Sequence, residues 1–155
     1  MSNSYASSCN DEAANFNCVD YIRNYDGDTI SVTLQGVHSF FGSEISVRVR
    51  GIDTGEVKNH EGRTLCEVEM AYLAKDEVEK VFNKANQIEL KDTQRGKYFR
   101  VLADVFVNGQ SLAKHLIKKG LAVPYYGGNR SNTDWCKLQK KFDKILAKQK
   151  VNVAK

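Results

Sequence analysis

Two short stretches of strictly alternating apolar and polar residues limit what this chain can become. In Thr29-Ile-Ser-Val-Thr-Leu34 the apolar positions are Ile30, Val32 and Leu34; in Ile45-Ser-Val-Arg-Val-Arg50 they are Ile45, Val47 and Val49. A period of two sends successive side chains to opposite faces, so each stretch reads as a strand with one buried face. Arg48 and Arg50 then project from the same side of the second strand. Val19 to Arg23 reads as another strand, joined to Thr29–Leu34 through the acidic turn Tyr25-Asp-Gly-Asp-Thr29.

The period then changes. From Thr64 to Lys84, Val68, Tyr72, Val78, Val81 and Phe82 form an apolar stripe at helical spacing, with Glu and Lys between them. Strand character returns at Gln87–Leu90 and at Phe99–Val107, and Asn108-Gly109 marks a turn. A short helix follows, capped by Ser111, with Leu112, Leu116 and Ile117 inward and Gly120 as its stop. Past Pro124, a last helix starts near 132–134 and buries Trp135, Leu138, Phe142, Ile145 and Leu146. Three strands, a helix, two strands and two helices is the connectivity of an oligonucleotide-binding (OB) barrel. The expectation is an α+β fold with a mainly β core: a five-stranded barrel carrying three packed helices. Residues 19–150 form its one domain, and the Ser-, Asn- and Ala-rich residues 1–18 form a flexible tail.

A net charge of +4 favours polyanionic partners only mildly. No apolar run approaches the roughly 18 residues that span a bilayer, so no membrane partner is expected. Nothing suggests an extended apolar interface or an obligate protein partner, and a monomer is expected. Cys9, Cys18, Cys66 and Cys136 match no zinc spacing. They read either as four thiols of a cytosolic protein or as two disulfides, Cys9–Cys18 and Cys66–Cys136. The first pair is close in sequence, and the second stands at two helix starts. The disulfide reading goes with a secreted or periplasmic protein whose export signal has been removed.

Chemistry concentrates in Val47-Arg-Val-Arg-Gly-Ile-Asp-Thr-Gly-Glu56. Arg48 precedes Asp53 by five residues, and Glu56 follows three after Asp53. The Asp26-Gly-Asp28 turn begins a strand that lies alongside, and Lys97-Tyr-Phe-Arg100 comes far downstream. Phosphodiester hydrolysis requires charge neutralisation on a pentacoordinate phosphorus, an activated water and in-line geometry. Arginine supplies paired donors to phosphate oxygens, carboxylates hold a hard dication, and a spare carboxylate activates water. Each feature alone has a bland reading, as a turn, a solvated strand face or hairpin decoration. Their co-occurrence points to a metal-dependent nuclease.

The segments Asp26-Gly-Asp-Thr29, Arg48-x-Arg-Gly-Ile-Asp-Thr-Gly-Glu56 and Tyr98-Phe-Arg-Val-Leu-Ala103 resemble the signature blocks of the staphylococcal nuclease-like (thermonuclease) family. Gly120-Leu-Ala122 with Tyr125-Tyr126 resembles its later block, and the similarity runs from about Val19 to about Lys148. This resemblance implies calcium held by the side chains of Asp28 and Asp53 and the carbonyl of Thr54, with Asp26 supporting them. It implies Glu56 as the base that activates water, and Arg48 and Arg100 as the residues gripping the scissile phosphate. Lys97 and Tyr98 would hold a terminal phosphate, and Tyr126 would flank a base or sugar. The substrates implied are DNA and RNA, cut to 3′-phosphate and 5′-hydroxyl ends.

Three features depart from the family pattern. Gly55 stands where proline is common, which implies a less rigid loop. The segment after Glu56 is shorter, and Gly127-Gly128 replaces a second aromatic. His38, His60 and His115 are expected to be solvated or structural. A non-catalytic single-stranded nucleic-acid-binding module and a protein-interaction domain are the alternatives; both would be free to lose Glu56 or the arginines, which this chain keeps.

Overall fold

The computed structural model describes residues 14–58, 62–128 and 132–153. Its strands and helices run β1 (Val19–Asn24), β2 (Thr29–Leu34), α1 (Ser39–Gly42), β3 (Ile45–Val49), β4 (Ile52–Asp53), α2 (Leu65–Phe82), β5 (Ile88–Arg95), β6 (Val101–Val107), β7 (Gln110–Ser111), α3 (Leu112–Lys119), β8 (Val123–Pro124) and α4 (Trp135–Val153). The main sheet is ordered β1-β2-β3-β6-β5, antiparallel throughout except for the parallel β3–β6 pair. Parallel neighbours need a crossover, and α2 is that crossover.

The sheet curls until its edge strands approach one another. Phe16 bridges Leu90 of β5 through reciprocal backbone hydrogen bonds of 2.8 and 2.9 Å, and Thr93 N–H donates to the Ala14 carbonyl at 2.8 Å. Pairing therefore begins upstream of Val19. Inside the barrel the alternating positions read from sequence, Ile30, Val32, Val47 and Val49, are at most 1% exposed. The expected α+β fold, an OB barrel of five principal strands with three substantial helices, is what forms; β4, β7 and β8 are two-residue additions and α1 is a single turn.

Several boundaries differ from the expectations. Strand β6 begins at Val101 rather than Phe99, because Lys97–Phe99 form a 3-10 turn in which Tyr98 and Phe99 take positive φ values of 58° and 60°. Strand β5 extends to Arg95, past the expected Leu90. Helix α2 starts after its Thr64 cap as expected, but its buried stripe is Met70, Ala71, Ala74, Val78 and Phe82, and Tyr72 is 50% exposed. The helix turns its alanines, not its tyrosine, towards the barrel because the contact there is too close for a large side chain. Ser111 caps α3, and Gly120 closes it at φ 76°. In α4, Trp135 and Phe142 are buried while Leu146 is partly exposed.

The first turns of α2 and α4 are joined by the Cys66–Cys136 disulfide, as expected. Cys9 of the expected Cys9–Cys18 pair lies outside the described residues. Helix α3 is tied to α2 by His115 and Lys119, both on the Glu77 carboxylate, at 2.7 and 2.9 Å. Among the described residues no helix is long and apolar enough to cross a membrane.

Candidate active site

The Asp26-Gly-Asp turn is clamped onto α2 from two sides. The Asn24 side chain donates to the carbonyls of Asp26 and Lys75, each at 3.0 Å. A Cβ on Gly27 would lie 2.6 Å from the Cβ of Ala74 and 2.8 Å from Cγ2 of Thr54, so glycine is required for this approach. The Asp28 N–H donates to the Asp26 carboxylate at 3.1 Å, which folds the turn back on itself.

Strand β3 pairs Arg48 with Thr29 on one side and Leu102 on the other. Its guanidinium bridges two carboxylates, Asp28 at 2.5 Å and Asp53 at 3.0 Å. The second Asp28 oxygen accepts the Thr54 N–H at 2.9 Å. Asp53 is fixed in turn by the β4–β8 ladder, in which it faces Val123. Residues from the β1–β2 turn, β3, β4 and the following loop thus meet at one end of the barrel. Arg50, just past the end of β3, turns away to Asp92 and Asp104 and takes no part.

These carboxylates are deeply placed: Asp28 is 1% exposed, Asp53 5% and Asp26 8%. Burial, and after it the Asp26 charge, pushes the Asp28 carboxyl up to about 7. Asp53 adds a smaller push, while Arg48 and the Thr54 N–H act in the opposite direction. Three buried acids beside one guanidinium make an excess of negative charge in a low-dielectric corner. That excess, together with all-oxygen donors, fits a hard dication such as calcium. Among the described residues no three His, Cys, Asp or Glu side chains converge as a ready-made cage. The implied donor set would not produce one, since it has two side-chain carboxylates and a backbone carbonyl, and here Arg48 holds both carboxylates.

Beside this corner opens a cleft of about 460 Å³ lined by Arg48, Asp53, Glu56, Arg95, Lys97, Arg100 and Tyr125, among others. Glu56 is half exposed at its rim. Its carboxylate is met by Arg63 at 3.2 Å, and Arg63 also reaches Glu67 of α2 at 3.2 Å. Lys97 and Arg100 come from the 3-10 turn and its end, across the cleft from β4. Five expected residues therefore share one space, Arg48, Asp53 and Glu56 from one segment and Lys97 and Arg100 from another, while Asp28 and Thr54 stay in the corner beside it. Tyr98 and Tyr126 are not among the lining residues and are 84% and 89% exposed.

Sequence reading missed Arg63, Arg95 and Tyr125. Arg63 carried a faint signal, four residues before Glu67 at helical spacing; Tyr125 stood in a family block without a role, and Arg95 is recognisable only once the barrel is folded. Of the histidines, His38 caps α1 by accepting the Phe40 N–H at 3.2 Å, His115 pairs with Glu77, and His60 lies outside the described residues.

Residues 46–152 match the family model described as staphylococcal nuclease homologue. The chain is also 34% identical over 132 residues to the SPbeta prophage-derived endonuclease YokF of Bacillus subtilis (strain 168), an alignment covering 84% of this chain. It spans 42% of that relative's length. With blocks, barrel and family model in agreement, the chain belongs to the staphylococcal nuclease homologue family.

Proposed function

We propose that this protein is a calcium-dependent nuclease that hydrolyses phosphodiester bonds of DNA and RNA, leaving 3′-phosphate and 5′-hydroxyl ends. The strongest support is the shared cleft, in which Arg48, Asp53 and Glu56 from one segment meet Lys97 and Arg100 from another. The endonuclease name of the Bacillus subtilis relative points the same way. Export from the cytoplasm accords with the Cys66–Cys136 disulfide.

Asp28, Asp53 and the Thr54 carbonyl hold the ion, with Asp26 orienting Asp28 through its hydrogen bond to the Asp28 N–H. When bound, calcium supplies positive charge to the phosphate oxygens and orders water near them. Glu56 takes a proton from the attacking water as its oxygen bonds to phosphorus. The bond from phosphorus to the 5′ oxygen breaks opposite, and that oxygen takes a proton from solvent. Arg48 and Arg100 bind the equatorial oxygens, where charge accumulates in the transition state. Lys97 and Tyr98 engage a neighbouring phosphate, and Tyr126 flanks a base or sugar. Arg63, on the Glu56 carboxylate, keeps the base at the cleft rim.

The test is digestion of end-labelled DNA and RNA with calcium and then with chelator, followed by identification of the new ends. Glu56→Gln, Arg48→Ala and Arg100→Ala should each lower the rate by about a hundredfold or more. Undiminished cleavage in chelator would remove calcium from the reading, and near-normal rates in the three variants would remove the assigned roles.

A further inference from the structure

A second groove, of about 710 Å³, adjoins the catalytic cleft, and Arg95 and Arg100 line both. Five aromatic residues line it, and beside the part-buried Phe16 four are strongly exposed: Phe40 and Phe41 of α1, and Tyr98 and Phe99 of the 3-10 turn. They are 83%, 69%, 84% and 85% exposed. Large apolar surface left in water at this density marks a binding surface. Phe40 and Phe41 pack edge to face at 5.0 Å. Arg95 lies over the Phe99 ring at 5.1 Å and Arg100 over Tyr98 at 5.9 Å. The one carboxylate among the lining residues, Glu44, is paired with Arg23.

The backbone adds an independent observation. Tyr98 and Phe99 both adopt left-handed φ, which bulky residues avoid. The turn is pinned by the Gly96 N–H to the Arg100 carbonyl at 2.7 Å, so two strained residues are held with their rings outward. Strain of this kind, spent on exposing rings, presents them to a ligand.

We infer that this groove is a stacking platform for unpaired nucleobases of the strand that runs through the catalytic cleft. Guanidiniums set against strongly exposed rings match a strand that carries phosphates and bases together. Continuity supports this occupant: a polymer gripped between Arg48 and Arg100 must leave the cleft across its neighbouring surface. Bases paired in a duplex present their edges and cannot lie on the rings. The inference rests on the nuclease reading for its strand path, but binding can be measured without cleavage.

The experiment compares two labelled strands of about twelve nucleotides, oligothymidylate and a charge-matched abasic strand, binding to the full chain in chelator. The wild type should bind oligothymidylate about tenfold or more tighter, the scale of a single stacked base. In Phe40→Ala/Phe41→Ala and in Phe99→Ala that gap should collapse, with abasic-strand affinity unchanged and unfolding curves like the wild type's. Phe41→Trp should retain the gap, and its indole fluorescence should quench on binding oligothymidylate. Equal wild-type affinity for both strands, or a gap that survives the alanine variants, overturns the platform. So does concentration-dependent dimerisation abolished by those variants, which would assign the groove to a second copy of the chain. A wild type that shows the gap but cleaves nothing with calcium would leave the platform standing and sink the nuclease reading.

Discussion

Arg48 serves two masters at the residue scale. In the structure it bridges Asp28 and Asp53, offsetting part of their charge in a buried corner. In the proposed reaction it turns that same guanidinium to a phosphate. Removing it therefore has opposite effects on two measurable quantities. Arg48→Ala leaves buried carboxylates without their partner, which should cost about 3 kcal/mol of stability in chelator. The carboxylates then attract a dication more strongly, so calcium affinity should rise by roughly tenfold while the cleavage rate collapses. Calcium should also recover most of the lost stability, since it binds the folded state. Calorimetric calcium titration and unfolding curves with and without the ion check all three, and unchanged or weaker calcium binding would contradict the account.

Small residues set the contact between helix α2 and the barrel. A Cβ on Gly55 would lie 2.5 Å from the Glu67 carbonyl and 3.2 Å from the Ala71 Cβ. Glycine at this position thus has a packing role, because the loop carrying Glu56 lies against the helix too closely for a side chain. Gly55→Ala should destabilise the fold by about 1–3 kcal/mol and displace Glu56, lowering the rate beyond what unfolding explains. A variant of wild-type stability and activity would show that the loop yields freely. The same helix meets α3 through Glu77. Burial pushes that carboxyl up, but hydrogen bonds from His115 and Lys119 win and hold it below the usual range. A carboxyl with a depressed folded pKa contributes stability above its unfolded value, near 4.3, and loses it as pH falls through the folded value. Melting curves of wild type and Glu77→Gln should therefore differ above about pH 5 and converge on further acidification. These contacts also explain what the sequence could reveal. Ile30, Val32, Val47 and Val49 announced the barrel because burial follows strict alternation. The stripe of α2 was misjudged at Tyr72 because close packing selects alanine, which hydrophobicity alone undervalues. The site residues were legible through short-range spacing and family blocks. Arg63 and Arg95 were not, because their partners are set by the fold.

At the scale of the whole molecule, the chain closes on itself in two ways. Hydrogen bonds of residues 14–16 join the first and fifth principal strands, and the Cys66–Cys136 disulfide fastens α4 to α2 across a separation of 70 residues. The site draws its side chains from the β1–β2 turn, β3, β4, the loop after β4, the turn before β6 and the segment after β8; α4 contributes none of the residues assigned to it. Loss of the disulfide should thus separate stability from chemistry. In Cys66→Ser/Cys136→Ser the unfolded chain regains the freedom of a long loop, which should cost about 2–4 kcal/mol and lower Tm accordingly. The start of α2 keeps its own supports, the Thr64 side chain on the Glu67 N–H and the close approach of Gly55. Glu56 therefore stays tied through Arg63, and kcat/KM well below Tm should stay within about threefold of the wild type, because the disulfide acts on the unfolded state. Urea unfolding and initial rates measured on the same preparation decide the matter. A collapse in rate with the fold intact would mean that α4 positions the cleft after all, and that the bond between the two helices belongs to catalysis as much as to stability.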